Sequence, residues 1–391
     1  MKLSDWQEEL KDIMPEVIRM RRELHRHPER SGEEAWTQAY IEEKLTKLGV
    51  EICRFQDCHA VMGMIRNGEG PCVAIRADMD ALPVTEKTGL PFASEQEGTM
   101  HACGHDAHMA LALGSAMWLT AHQDQWHGTV KYFFEPEEET VGGGKMMTEQ
   151  GCMENPHVDV IIGQHMNPHY EAGKFYAKPG FVSGASDEIR LTVRGKSCHG
   201  AYPESGIDAI VISGQIVSAL QTLVSRTLSP FDPAVVTIGT IEGGTANNIV
   251  CGEVKMRGTL RTLSEETREK MKKLIVRTAG GVAEALGGTC EVQMIPSYGA
   301  VYNDDDYYAI VEREAEEILG TEMLVHRDAP SLGVESFYYF VRKTPGVYYD
   351  IGSGIGTALH TETFLVDETC LMPGVALQCA SVLALLKGVK A

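Results

Sequence analysis

Between residues 15 and 163 the sequence switches repeatedly between two hydrophobic periods, and that alternation leaves few folds open. Residues 15–25 have helical character, with Pro15 in a first-turn position that needs no backbone donor. Residues 33–48 repeat Ile41, Leu45 and Leu48 at helical spacing and stop at Gly49. Strand-like runs follow at 61–65 and 72–77, then a helix over 106–121. A strand over 129–134 and a buried strand over 158–163 complete the series. Helix and strand in turn predict an α/β domain, with a mostly parallel sheet covered by helices on both faces.

The pattern changes at Ser183-Gly184-Ala185-Ser186. Ile189, Leu191 and Val193 alternate at the strand period, and a helix over 207–225 follows. Strands at 235–241 and 254–260, a helix over 265–286 and a strand at 289–295 come next. This βαββαβ order predicts a ferredoxin-like α+β unit. Segments at 312–319, 334–341 and 347–349 resume the helix–strand alternation, and a last helix covers 368–386. The expected organisation is one domain of residues 1–184 plus 297–391, with residues 185–296 inserted. A chain of 391 residues suits two cores.

Composition excludes some partners. A net charge of −20 argues against nucleic acid and against an anionic membrane surface. No apolar run is expected to reach the length of a membrane span. Met1-Lys2-Leu3-Ser4-Asp5-Trp6 lacks the apolar core of a signal peptide, and ten scattered cysteines form no Cys-x-x-Cys pair. Reduced thiols in a cytoplasm are the expectation.

Four stretches offer metal donors: His101-Ala102-Cys103-Gly104-His105-Asp106, Glu135-Pro136-Glu137-Glu138-Glu139, Gly163-Gln164-His165, and Ala358-Leu359-His360. Cys103 and His105 are one residue apart and reach one face of an extended backbone. Glu138 and Glu139 are adjacent, so their side chains diverge; one can bind metal while the other faces water. His165 is expected just past a strand, and His360 beside the glycine-rich loop 352–357. Sites in open parallel sheets form beyond the carboxyl ends of strands, which is why donors so far apart can be combined. Asp106 is expected to cap the following helix or to hold His105, with Asp78 and Asp80 as further braces. His101 and His108 are read as structural or as supports behind the donors, with no metal bond of their own. A non-catalytic binding protein with a closed structural metal is the competing reading. Such sites lack a spare base, which one of Glu138 and Glu139 would supply. Gly352-x-Gly354-x-Gly356 and Gly142-Gly143-Gly144-Lys145 both lack the spacing of a nucleotide loop.

Further stretches extend the pattern: Arg21-Arg22-Glu23-Leu24-His25-Arg26-His27-Pro28-Glu29, Arg76-Ala77-Asp78-Met79-Asp80-Ala81-Leu82-Pro83, Gly195-Lys196-Ser197-Cys198-His199-Gly200-Ala201-Tyr202-Pro203 and Gly243-Gly244-Thr245-Ala246-Asn247-Asn248. With the four donor stretches, nearly end to end, the chain resembles the M20 metallopeptidases. The similarity is to their amidohydrolase branch of hippurate hydrolases, N-acyl-amino-acid deacylases and auxin-conjugate hydrolases. The resemblance implies a zinc-exopeptidase-like catalytic domain, with the insertion acting as lid and homodimer interface. It implies two divalent metals held by Cys103, His105, Glu139, His165 and His360, with Glu138 as general base. Thiolate and imidazole donors favour zinc, with manganese, cobalt or nickel next. It further implies that His199 of the partner subunit polarises the scissile carbonyl, and that Asn248 and Arg261 bind substrate, Arg261 its carboxylate. The implied activity is amide hydrolysis of N-acyl or N-aroyl amino acids; a carboxypeptidase or dipeptidase on the same scaffold is the alternative. Two departures stand out. The family's Gln-Pro-Ala-Glu-Glu reads Glu135-Pro136-Glu137-Glu138-Glu139 here, and its Ser-Glu-Asp-Phe reads Val334-Glu335-Ser336-Phe337.

Overall fold

Continuous burial, rather than in–out alternation, marks the strands on which the first unit is built. In chain order the elements are α1 (Leu3–Leu10), α2 (Met14–Arg26), α3 (Ala35–Lys47), β1 (Glu51–Arg54), β2 (Val61–Asn67), β3 (Cys72–Asp78), α4 (His105–Ala121), β4 (Gly128–Glu135), α5 (Gly143–Glu149), β5 (Val160–Asn167), β6 (Phe175–Ala177), β7 (Gly180–Phe181), β8 (Ala185–Arg194), β9 (Cys198–His199), α6 (Ala209–Thr222), β10 (Ala234–Gly243), β11 (Ile249–Val250), β12 (Glu253–Thr262), α7 (Glu265–Ala285), β13 (Thr289–Pro296), β14 (Tyr302–Asn303), α8 (Asp305–Leu319), β15 (Leu324–His326), α9 (Tyr338–Val341), β16 (Gly346–Gly352) and α10 (Leu371–Gly388). The computed structural model describes residues 1–389.

The chain divides into two units. The first contains Met1–Val182, Tyr302–Ala329 and the chain from Ser336 onward. Its eight-stranded sheet has the order β1-β2-β4-β3-β5-β16-β6-β15. The central strands β4, β3, β5 and β16 run parallel, and every residue of β3, β4 and β16 is buried. That is the α/β class with a mostly parallel sheet, for the reason the sequence suggested: strands covered on both faces need no polar side. Antiparallel partners close the left of the sheet at β2 and β1. The three-residue strands β6 and β15, too short to leave a periodic signal, form the other edge.

Several boundaries differ from expectation. β5 continues to Asn167, so His165 lies within the strand and opposite Asp350 of β16. α8 begins at Asp305 rather than near residue 312, because the Asp304 carboxylate accepts from the Asp306 and Tyr307 N–H groups and caps it. Only the four-residue helix α9 forms within 334–341. Two helical segments, Ala209–Thr227 and Glu368–Gly388, are long and apolar enough to cross a membrane. This corrects the expectation that no run reaches that length. The second is largely buried in the core of the first unit, where Val375, Leu377 and Val382 pack.

The second unit comprises Ser183–Val301 and Pro330–Glu335. Its sheet has the order β10-β12-β8-β13, antiparallel throughout, the arrangement of a ferredoxin-like unit. Ile189, Leu191 and Val193 of β8 point into its core with Ile212, Ile216 and Leu220 of α6 and Met271 and Ile275 of α7.

A buried ionic brace ties α2 to α4. Asp106 lies 2.9 Å from Arg21 Nε and 2.7 Å from His25 Nδ1, and Glu86 lies 3.3 Å from His25 Nε2. Burial opposes ionisation of Glu86, but hydrogen bonds from His25 and from the Ser94 N–H outweigh it and hold the carboxyl at about 2. A carboxyl depressed in the folded state stabilises fully above its unfolded value and loses that contribution as pH falls. Glu86→Gln is therefore expected to lower the urea midpoint at pH 7. The deficit should shrink as pH falls from about 4.5 towards 2. An equal deficit across that window in pH-resolved denaturation would contradict the brace.

Candidate metal centre

The loop before α4 sets the first two donors. The expected extended backbone at Cys103–His105 is absent; Gly104 has φ 87°, a left-handed conformation, and His105 is already helical. The turn instead brings both side chains together. A Cβ at residue 104 would lie 2.9 Å from the Met166 Cβ, so the position has no room for a side chain either.

Each remaining donor is aimed by a backbone partner. The His165 Nδ1 donates to the Met166 carbonyl at 2.8 Å, which leaves Nε2 facing the Cys103 Sγ at 3.4 Å. The His360 N–H donates to the Ala102 carbonyl at 2.8 Å, pinning its turn beside the Cys103 loop. Its Nε2 then lies 3.2 Å from Glu139 Oε1. Glu139 follows a tight turn in which Glu137 has φ 60° and donates its N–H to Glu34 Oε1 at 2.9 Å. His360 is likewise left-handed, at φ 62°. Such strain in non-glycine residues persists only where surrounding contacts fix it.

Asp80 links two of these donors. Its backbone carbonyl lies 2.8 Å from His105 Nδ1, its Oδ1 lies 3.3 Å from the same nitrogen, and its Oδ2 accepts the Glu139 N–H at 3.0 Å. Ser31 Oγ donates to Oδ2 at 2.6 Å. His105 Nε2 is thereby turned towards Glu139 Oε1, 3.9 Å away. Asp78 Oδ1 instead receives His108 Nδ1–H at 2.5 Å, while His108 Nε2 accepts the Met166 N–H at 2.9 Å. Both nitrogens of His108 are occupied, though its donor atoms also lie within 4.8 Å of those of Asp78 and His105. Asp106 serves neither expected role, because its carboxylate turns away to Arg21 and His25. His101 is buried with neither nitrogen hydrogen-bonded, and burial pushes its pKa down to about 3, so it is neutral.

Donor atoms of Cys103, His105 and His165 all lie within 4.8 Å of one another, as do those of Cys103, Glu139 and His360, and those of His105, Glu138 and Glu139. The overlapping sets bring the five donors that the resemblance implies, and Glu138, into one cluster. Burial raises the Cys103 thiol well above its usual value. Burial also opposes charge on His105, but attraction led by Asp78 outweighs it and raises the imidazole well above its usual value. His105 Nε2 is buried without a hydrogen-bond partner. A thiol, three imidazoles and a carboxylate around such an atom fit borderline divalent cations. Glu138 is nearly buried, with Oε1 accepting the Ser336 N–H at 3.3 Å.

Sequence reading gave no role to three participants, although Glu135 stood out as a departure and Arg76 lay in a stretch that carries the resemblance. Glu34 is buried under the Glu137 turn, and burial lifts its pKa to about 8, so it carries a proton at neutral pH. Nothing in its local sequence marks it. Arg76 lies in β3 and Glu135 at the end of β4, both strands buried along their whole length, so a charge in either strand was the available signal.

The remaining site candidates belong to the second unit. His199 of β9 pairs with Ile249 of β11, and the Asn248 carbonyl accepts the Gly200 N–H at 2.7 Å, so His199 and Asn248 share one short ribbon. His199 is exposed, and its Nδ1 accepts the Ala201 N–H at 3.1 Å. Arg261 lies on β12 and donates to the Leu332 carbonyl at 3.4 Å.

Residues 74–384 match the model of peptidase family M20/M25/M40. The chain is 37% identical over 376 residues to thermostable carboxypeptidase 1 of Saccharolobus solfataricus, covering 94% of each chain. It is 36% identical over 357 residues to the N-acetylcysteine deacetylase of Bacillus subtilis, covering 91% of this chain and 93% of that one. A solved relative is the Bacillus subtilis YXEP protein, a dinuclear metal binding peptidase from the M20 family. It superposes with a TM-score of 0.85 at 33% identity, covering 97% of this chain and 100% of that one. The chain belongs to peptidase family M20/M25/M40. It is an enzyme, a hydrolase of the amidohydrolase type found in that family.

Gly104→Ala is expected to cost about 1–3 kcal/mol of stability through left-handed strain, and more through contact with Met166. Thermal unfolding and metal titration of the variant should both weaken together; an unchanged metal affinity would show that the turn does not aim Cys103 and His105.

Proposed function

We propose that the chain hydrolyses the amide bond of N-acyl amino acids, releasing a carboxylic acid and a free amino acid. The observation that carries this reading is a carboxylate, Glu138, beside a cluster of five metal donors that does not require it. Cys103, His105, Glu139, His165 and His360 would hold two divalent cations, zinc first and manganese, cobalt or nickel next. Likeness to a dinuclear metal binding peptidase supports the pair. Likeness to an N-acetylcysteine deacetylase supports the acyl substrate. Likeness to a carboxypeptidase keeps cleavage of a C-terminal peptide bond as the second reading.

When bound, such a cation pair polarises the carbonyl and lowers the pKa of a water from ~15.7 towards ~7. Glu138 takes the proton of the attacking water and delivers it to the departing nitrogen, a shuttle that contributes ~10²–10⁴-fold. Its carboxylate is held for this by the Ser336 N–H. His199 of the partner subunit donates to the carbonyl oxygen as charge develops, a role in which losing one donor costs about 2.7–4 kcal/mol. Arg261 pairs with the substrate carboxylate, and Asn248 sits on the same ribbon as His199 to orient the amide. The second unit serves as the homodimer interface. Among the described residues all ten cysteines are free thiols, which supports a reducing, cytoplasmic setting.

Glu138→Gln is expected to abolish turnover while metal content by elemental analysis stays unchanged; substantial activity would remove Glu138 as the proton carrier. His199→Ala should lower kcat with metals retained. Mixed dimers of His199→Ala with Glu138→Gln should regain activity, because each mixed dimer contains one intact combination. No recovery would mean that His199 acts within its own subunit or not at all. A panel of N-acetyl amino acids, N-benzoyl amino acids and dipeptides, assayed with and without chelator, separates the deacylase from the peptidase reading.

A further inference from the structure

The loop between α2 and α3 lies against the acidic turn, and one buried side chain joins them. Residues 29–34 are first fixed to their surroundings. The Glu29 carboxylate accepts the Trp36 N–H at 3.0 Å and the Thr37 N–H at 2.8 Å, which satisfies free donors in the first turn of α3. The Glu29 carbonyl accepts the Ala81 N–H at 2.7 Å, and Ser31 Oγ donates to Asp80 Oδ2 at 2.6 Å. The loop is thereby bound to the segment that follows β3. Glu34 ends the loop. It is buried, and its Oε1 accepts the Glu137 N–H at 2.9 Å.

Glu137 is the pivot of the turn that carries Glu138 and Glu139. Its φ of 60° is a conformation that a residue with a Cβ adopts at a cost. Its carbonyl accepts the Gly142 N–H at 2.9 Å and the Thr140 N–H at 3.2 Å, which closes the turn on its far side. The bond to Glu34 fixes the near side. Glu139 has a hold of its own, because its N–H donates to Asp80 Oδ2 at 3.0 Å. Glu138 lies between these two fixed points. A rotation at Glu137 therefore swings the Glu138 side chain before it moves Glu139.

We propose that Glu34 is a positioning residue for the reaction: its Oε1 holds the left-handed Glu137 turn and so sets the angle at which Glu138 meets the attacking water. The proposal rests on Glu138 as proton carrier. It makes an acceptor the requirement at position 34, rather than a charge or a filled volume. Glutamine keeps that acceptor, whereas methionine fills similar space without it.

Kinetics and metal content of four variants test this. Glu34→Gln is expected to keep kcat within about twofold. Glu34→Met should lower kcat about fivefold or more, with KM and zinc content near those of the original protein. Zinc titration of chelator-treated protein should give the same affinity in both variants, since Asp80 still holds Glu139. Glycine at the pivot removes the cost of a positive φ. Glu34→Met combined with Glu137→Gly should therefore lose less than about twofold relative to Glu137→Gly alone. Methionine as active as glutamine overturns the proposal, and so does glutamine as inactive as methionine. An equal loss in the glycine background overturns the route through Glu137. Should Glu34→Met not accumulate, a folded and active pair with Glu137→Gly supports the proposal, and a pair that also fails to accumulate overturns it. Failure of the underlying reading is separable. If Glu138→Gln keeps its turnover, the proton-carrier role falls. The hold of Glu34 on the turn is then read from the thermal midpoint of chelator-treated protein. Glu34→Met should lower that midpoint more in the original background than beside Glu137→Gly, and equal lowering would remove the hold as well.

Discussion

Parallel pairing of four central strands, three of them buried along their whole length, is the constraint on which the site depends. In a parallel sheet all strands end on the same edge, so whatever follows β3, β4, β5 and β16 is delivered to one place. The register makes this concrete. Asp78 pairs with Glu135, Arg76 with Gly163, and His165 with Asp350. The strand ends therefore level the chain so that Asp80, Glu138–Glu139 and His165 emerge together. Antiparallel strands in the same order would scatter them over both edges.

That arrangement forces charge into the interior, and the protein neutralises it locally. Asp78, Glu135 and Arg76 are all buried within strands, and Asp80 sits just beyond β3. An isolated charge there would be costly, and it is tolerated because each is paired and hydrogen-bonded. Asp78 is held well below its usual pKa; burial opposes this, but His105, His108 and Arg76 win. Glu34 takes the other solution and keeps its proton. The metal centre thus rests on a lattice of matched charges, which also fixes the rotamers of its donors.

Left-handed backbone also occurs at the same edge. Gly104, Glu137 and His360 are all left-handed, and each immediately precedes or is a donor or its supporting turn. Tertiary hydrogen bonds hold the two non-glycine cases: Glu137 to Glu34, and His360 to Ala102. Stability spent there aims side chains that ordinary turns would leave apart.

The sequence by itself determined the fold class, because hydrophobic period is a local property: covered strands read as apolar runs and helices as 3.6-residue repeats. It also determined which donors were available, since thiol, imidazole and carboxylate are fixed by residue type. It did not determine how they meet. The left-handed turn at Gly104, the continuation of β5 through His165 and the diversion of Asp106 to Arg21 and His25 all depend on contacts with segments far away in the chain. Nor could it say that Glu135 and Ser336, 201 positions apart by their numbers, touch the same guanidinium. Local patterning reports what a segment prefers; only packing decides which buried charges face one another, because that choice is made by the partner each charge must find on leaving water.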